Sequence, residues 1–279
     1  MRLALIANDR SGGGLGADEL AAALRDRGAD VVLHSIRDHE RAGQDGPLDR
    51  IVVAGGDGSI GICAELAGRL DVPLAVIPAG TANDFARAHD LPTDPAEAAA
   101  LAVDGRRAER MELGRLDGRP FVNVVSAGLS PVAARHAHAH KLRLGPLAYA
   151  VGAIRAGLTA HPVPCDVQVD GERLFAGDAW QIIVSVSGAF GGGSHVEEAD
   201  PGDGRLHVTV VPAGSRLGLL RRAAGMRRGD IAGQPGVPDT EGHEIELGLP
   251  PGVEVNLDGE LCGPGRLTVE PAAFSLVVG

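Results

Sequence analysis

Short apolar runs recur along the first third of the chain, each ending in a turn and followed by a stretch with helical spacing. LALIA at 3–7 is the first; Leu20 and Leu24 then repeat at an interval of four between Asp18 and Arg27, and Gly28 closes the segment. That is the pattern of an amphipathic helix with a glycine stop. VVLHSI at 31–36, IVVAG at 51–55 and PLAVIP at 73–78 follow, with a helix-like stretch over 60–70 between the last two. Continuous Val/Ile/Leu strands separated by helices indicate a parallel sheet covered on both faces. Beyond residue 119 the pattern changes to alternation. PFVNVVSAG, CDVQVDGERLF, WQIIVSVSG, RLHVTVV, HEIELGL, VEVNLDGEL and RLTVE succeed one another with Gly, Pro and Asp between them, which predicts an antiparallel β half. One helical interruption is expected at 147–158. The predicted fold is α/β followed by β: an α/β domain at 1–118, then an antiparallel, β-sandwich-like domain at 119–279. The break falls near LDGR at 116–119, a linker or an Asp-Gly hairpin turn. A cleft between two such domains is the expected place for a small-molecule site.

Composition narrows the classes. No apolar run approaches the roughly 20 residues of a membrane span, and MRLALIANDRSGGG lacks the apolar core of a secretory signal, so a cytoplasmic protein is expected. Cys63, Cys165 and Cys262 are isolated from one another, which excludes a disulfide framework or a cysteine zinc cluster. A formal net charge of −11 opposes a general affinity for nucleic acid. Lys141 is the only lysine and lies outside any G-x-x-x-x-G-K-[ST] string, so a P-loop NTPase is excluded.

Candidate chemistry gathers at three strand ends. Gly55, Gly56, Asp57, Gly58 and Ser59 follow IVVA directly. Consecutive glycines let backbone amides approach phosphate oxygens, and a following helix N-terminus adds positive potential. Asp57 could there hold Mg²⁺, directly or through water, since that ion takes oxygen ligands and bridges to phosphates; the plainer reading is a Gly-Asp turn capping a helix. Asn8, Ser11 and Gly12 lie in NDRSGGG after the first strand, and Gly80, Thr81, Asn83 and Asp84 in PAGTANDFAR after the fourth. No acidic residue clearly ends the second strand to bind a ribose, which argues against a dinucleotide Rossmann site, but three loops at one carboxyl edge mark a ligand site.

These strings, in order, resemble the bacterial diacylglycerol kinase and lipid kinase family, whose catalytic fold extends to sphingosine kinases and is related to NAD kinases. The resemblance spans nearly the whole chain: GGDGS and IPAGTANDFAR are joined by PFVNVVSAGLS, KLRLGPLAY, the glycines at 191–193, DPGDGRL at 200–206 and NLDGE at 256–260. It implies an ATP- and Mg²⁺-dependent kinase acting on a lipid alcohol, diacylglycerol first among them, at the membrane surface. A sphingoid-base kinase, or a nucleotide- or lipid-binding module without catalysis, is the alternative. It also implies that Asn8, Ser11 and Gly12 border the nucleotide and that Ser35 stands where Thr is usual. Gly56, Gly58, Ser59 and Thr81 would hold phosphates, and Asp57 would organise the catalytic Mg²⁺. The base falls on Glu260, with Asp258 as the nearby alternative. Asp200, Asp203 and the Arg205 carbonyl would match a structural Mg²⁺ segment. As partners, a homodimer stays open.

The residues themselves leave alternatives at two of these points. If 258–260 is a strand, both acids face one side; D-G-E alone reads as a hairpin turn with two solvated acids. D-P-G-D-G is a hard-cation loop or an ordinary turn. Gly61 and Ile62 replace polar residues usual in the family, and Glu112 stands where an Asp is expected. His136, His138 and His140 read as a solvated run. Arg221, Arg222, Arg227 and Arg228 beside Leu217, Leu219 and Leu220 form a solvated or lipid-facing helix face.

Overall fold

The structure, a computed structural model, describes residues 1–8, 15–44, 46–80, 82–129, 161–187, 189–190, 194–195, 203–215 and 234–279. The helix expected at 147–158, the histidine run, the glycines at 191–193 and the arginines at 221–228 lie outside them. The chain forms two compact units, Met1–Leu113 with Glu270–Gly279, and Gly114–Val269.

The first unit is the parallel α/β layer structure expected. Its chain order is β1 (Arg2–Ala7), α1 (Ala17–Asp26), β2 (Asp30–Ser35), β3 (Arg50–Gly55), α2 (Asp57–Leu70), β4 (Leu74–Pro78), α3 (Asp84–Ala88), α4 (Pro95–Asp104) and the first part of β5 (Arg107–Leu116). Strands β2, β1, β3 and β4 lie side by side, all parallel. Leu3, Leu5, Val52, Ala54, Ala75 and Ile77 of one sheet face pack with Leu20 and Leu24 of α1 and Ala98 and Ala102 of α4. Helix α2 packs on β3 and β4 with Ile60, Cys63, Ala64 and Ala67 buried. Burial on both faces is what the uninterrupted apolar runs require, each large side chain contributing about 1.5–3 kcal/mol. Asp94 starts α4 by accepting the N–H groups of Ala96 and Glu97 at 2.9 and 3.0 Å, with Pro95 at the first helical position.

His89 follows α3 and stacks on Phe85, the ring centroids 4.4 Å apart at 54°. Burial pushes its imidazole down to about 4, against the pull of Glu109 and Asp90. An unfolded histidine titrates near 6.5, so above that pH the two states bind equal protons. As the pH falls from 6.5 towards 4 only the unfolded chain gains the proton, and stability is lost. His89→Leu removes this titration: the stability difference between wild type and variant should shrink by up to about 3 kcal/mol over that window in denaturant melts. A constant difference would show that His89 is not buried neutral.

The second unit is an antiparallel sandwich. It takes the end of β5 and then β6 (Arg119–Phe121), β7 (Val124–Gly128), β8 (Val163–Val169), β9 (Glu172–Ser185), β10 (Ala189–Phe190), β11 (Ser194–His195) and β12 (Leu206–Pro212). β13 (Asp239–Gly242), β14 (Glu244–Gly248), β15 (Val255–Leu257), β16 (Glu260–Cys262) and the start of β17 (Arg266–Val278) complete it. The long strand β9 pairs through its first half with β8 and through its second half with β7 and β12. Val167, Ile245 and Leu267 from one side meet Val125, Ile182, Val184, Val208 and Val255 from the other. The alternate residues Ser126, Gln181, Ser185, Thr209 and Asn256 are buried as well, so this sheet carries polar groups on its second face.

Three Asp-Gly pairs make hairpin turns among the described residues: Asp117-Gly118, Asp170-Gly171 and Asp258-Gly259, each with positive φ at both residues. Two-residue loops of this kind match the strand twist and favour Asp-Gly. LDGR is therefore the turn between β5 and β6, and 258–260 is not a strand: Leu257 pairs with Glu260 across the turn. The two acids cannot share a face by period two. In all three turns the Asp carboxylate also accepts neighbouring amides, Asp117 from Arg266 at 2.9 Å and Asp170 from His243 and Glu244 at 3.0 and 2.9 Å.

The last strand was only half legible. RLTVE was expected as a strand, yet β17 runs on through Pro271 and Ala272 (φ 49°), and its Leu276 pairs in parallel with Leu74 of β4. Phe274 and Leu276 are fully buried in the first unit. The proline and the left-handed residue break the alternation that would have announced the continuation.

Candidate active site

In the first unit the chain leaves β1 for β2 on one side and returns to β3 on the other, since β1 pairs in parallel with both. A crevice forms at the carboxyl ends where strand order reverses in this way. Asn8 follows β1 there, its backbone N–H donating to Ala54 O at 3.0 Å and its Nδ2 to Ser59 Oγ at 3.0 Å. Ser59 is buried; a Cβ on Gly55 would stand 2.9 Å from its side chain. Ser35 ends β2 opposite Ala7, its Oγ accepting from Arg37 N–H at 3.4 Å.

Helix α2 begins three residues earlier than its apolar spacing indicated. Gly56 is its N-cap and provides no side-chain cap, and Asp57 and Gly58 lie in the first turn, where backbone amides without intrahelical partners carry the positive end of the helix. The Asp57 carboxylate accepts the N–H groups of Asp84 at 3.2 Å and Phe85 at 2.9 Å. It thus caps α3 and ties the second loop to the third. Asn83 sits at φ 51°, a left-handed conformation Asn tolerates, and its Oδ1 accepts the Gly80 N–H at 2.9 Å. Asp84 is buried and paired with Arg87. Glu112 is buried on β5. The structure therefore brings Asn8, Gly55, Gly56, Asp57, Gly58, Ser59, Gly80, Asn83 and Asp84 together at one edge; Ser11, Gly12 and Thr81 lie outside the described residues.

The second and third loops touch through glycines. A Cβ on Gly80 would lie 2.6 Å from the Gly56 Cα and 2.7 Å from Asn83 Oδ1. Gly80→Ala should push the loops apart and cost about 1–3 kcal/mol in denaturant melts. Unchanged stability would show that this contact does not shape the loops.

In the second unit Glu260 opens β16, exposed, with Arg119 Nη2 at 3.3 Å from its Oε2. Asp258 is different: its carboxylate accepts the N–H groups of Val122 at 2.8 Å, Asn123 at 3.1 Å and Val124 at 2.8 Å. Asn123, which its sequence context does not single out, is buried, and its Oδ1 accepts from Ser187 Oγ at 3.1 Å. The signal available was a lone amide among the apolar residues of PFVNVV. Asp203 Oδ1 accepts the Arg205 N–H at 2.8 Å, the geometry of an Asx turn; Arg205 faces Glu241 at 3.6 Å, and Asp200 lies outside the described residues. Among the described residues no cluster of three or more His, Cys, Asp or Glu side chains is arranged to hold a metal ion, and no helix is long and apolar enough to cross a membrane.

Both parts match known families. The diacylglycerol kinase catalytic domain model matches residues 2–116, and the YegS C-terminal NAD kinase beta sandwich-like domain model matches residues 123–278. A diacylglycerol kinase of Mycobacterium tuberculosis is 29% identical over 271 residues, covering 92% of this chain and 87% of that protein. A Pseudomonas aeruginosa protein called "Probable lipid kinase YegS-like" is 34% identical over 239 residues, covering 80% and 74%. A diacylglycerol kinase structure from Bacillus anthracis shares the fold with a TM-score of 0.78 at 21% identity, covering 100% and 97% of the two chains. Yeast NADH kinase shares it with a TM-score of 0.51 at 13% identity, covering 100% and 84%. Matched in order across both parts, the chain belongs to the family of diacylglycerol kinases and YegS-like lipid kinases, and it is a kinase.

Proposed function

We propose that the protein transfers the γ-phosphate of ATP to the hydroxyl of a lipid alcohol, with diacylglycerol as the acceptor and phosphatidic acid as the product. The observation that carries this reading is the meeting of Asn8, Gly55 to Ser59, Gly80, Asn83 and Asp84 at the switch point of a parallel sheet, braced by Asn8 on Ser59 and by Asp57 on the amides of Asp84 and Phe85. Phosphoryl transfer asks mainly for positioning and for neutralisation of phosphate charge. The first-turn amides of α2 and the glycine backbones of both loops receive the phosphates. Glu260 accepts the proton of the lipid hydroxyl; being exposed and paired only at the surface, it can turn towards a substrate.

Mg²⁺ suits the donor set at Asp57. An ionised carboxylate offers about four lone-pair sites, and the amides of Asp84 and Phe85 are among its partners. Mg²⁺ keeps several waters and takes only one or two carboxylates beside phosphate oxygens, so a single Asp without a protein cage is sufficient. The ion would offset charge on the β- and γ-phosphates. Asp57 would hold it through water while its two amide bonds keep the third loop in place. The acceptor is met at the membrane surface.

The test is direct: purified protein with γ-labelled ATP, Mg²⁺ and a panel of diacylglycerol, a sphingoid base and a monoacyl alcohol in mixed micelles. Label in phosphatidic acid is expected. Label in the sphingoid base alone would replace the acceptor; protection by ATP without label in any acceptor would make the protein a binding module.

A further inference from the structure

Asp258 and Glu260 stand two residues apart, yet the surroundings of their carboxylates differ in kind. Both oxygens of Asp258 are engaged by three consecutive backbone donors, Val122 at 2.8 Å on Oδ2, Val124 at 2.8 Å on Oδ1, and Asn123 at 3.1 Å on Oδ1 and 3.4 Å on Oδ2. Its own N–H donates to Val124 O at 3.0 Å. The turn is held from within as well: Gly259 N–H donates to Asn256 Oδ1 at 2.8 Å, and the φ angles of 45° at Asp258 and 95° at Gly259 are those of a tight two-residue loop.

The anchor continues inward. Asn123, whose N–H serves Asp258, uses its carbonyl to accept from Val186 N–H at 2.9 Å and Ser185 Oγ at 3.3 Å, while its Oδ1 takes the Ser187 hydroxyl. All of these side chains except Asp258 are buried. A charged acceptor with several amide donors is the strong kind of hydrogen-bonded contact, and its loss would strand three donors. The outer part is weak by comparison. β16 is three residues long and among the described residues pairs with β15 alone, so the turn is what sets where Glu260 stands.

We propose that Asp258 is the positioning residue for Glu260: it docks the turn on the amides of residues 122–124, and Asn123 extends that hold to Ser185 and Ser187. Asp258 does not take the substrate proton. This rests on the assignment of Glu260 as base.

The experiment compares Asp258→Asn with Glu260→Gln in the full chain by kcat, KM for ATP, KM for diacylglycerol and the pH dependence of kcat. Asp258→Asn preserves size but turns one acceptor oxygen into a donor facing amide N–H groups. Its kcat should fall ten- to a hundredfold, with KM for ATP unchanged and the acid limb of the wild-type pH profile retained. Glu260→Gln should lose that limb. An Asp258→Asn profile without the acid limb would make Asp258 the base and overturn the proposal. So would wild-type kcat, or a loss of kcat matched by an equal rise in KM for ATP. Should Asp258→Asn fail to fold, Gly259→Ala strains the same turn at its φ of 95° without touching the carboxylate; a similar kcat loss supports the proposal and an unchanged kcat overturns it. If Glu260→Gln itself keeps wild-type turnover and profile, the base assignment fails on that variant alone.

Discussion

Asp57→Asn is expected to lower phosphoryl transfer by roughly 10²–10³-fold while the protein remains folded. The side chain has two tasks. Its charge would hold the water shell of Mg²⁺ beside the nucleotide, and its oxygens accept from Asp84 and Phe85. Asn keeps one acceptor oxygen, turns its NH2 group towards the other amide and loses the charge, so stability should fall modestly and activity far more. Asp57→Ala removes both and strands two amides at the start of α3, which should cost about 1–3 kcal/mol in denaturant melts in addition to the activity. Parallel kinase assays and melts on the two variants check this. Turnover of Asp57→Asn within a few-fold of wild type would remove Asp57 from the reaction.

Glu260→Gln carries the second large effect, a fall in kcat of about 10²–10⁴-fold with stability changed by less than about 1 kcal/mol. The side chain is exposed and its partner Arg119 is half exposed, and surface ion pairs of that kind contribute little. Activity and stability should therefore separate more cleanly here than at Asp57, whose carboxylate is part of the frame. A glutamine variant with near-normal turnover would leave the acceptor hydroxyl without its proposed base. A variant that loses activity only because it unfolds would place Glu260 in the frame instead.

Much of the frame is legible in the amino-acid sequence. The parallel strands at 3–7, 31–36, 51–55 and 73–78 stand within a residue or two of their expected bounds, because strands buried on both faces must be apolar without interruption. Of the D-G pairs, Asp117-Gly118 and Asp258-Gly259 offer a turn as one of two readings, whereas Asp170-Gly171 sits inside an alternation expected as a single strand and instead splits it into β8 and β9, because Asp and Gly accept the left-handed conformation of a tight turn. Helix α4 was passed over: AEAAALAV is too uniformly apolar to display a period, and only its Asp-Pro start marks it. Asn123 escaped notice because a buried polar residue looks like any other until its partners, here Asp258 and Ser187, arrive from positions far along the chain.

The sequence by itself determined the fold class, the glycine-bearing loops after β3 and β4 at one sheet edge and the family, since each depends on local spacing and residue type. Tertiary structure alone decided that Asp57 caps α3, that Asp258 is spent on the amides of 122–124 while Glu260 is left exposed, and that residues 270–279 return to the first unit. Those outcomes depend on which backbone donors a carboxylate or a strand meets after folding, and sequence spacing carries no record of such partners, whether they lie 27 residues away, as for Asp57, or 135, as for Asp258.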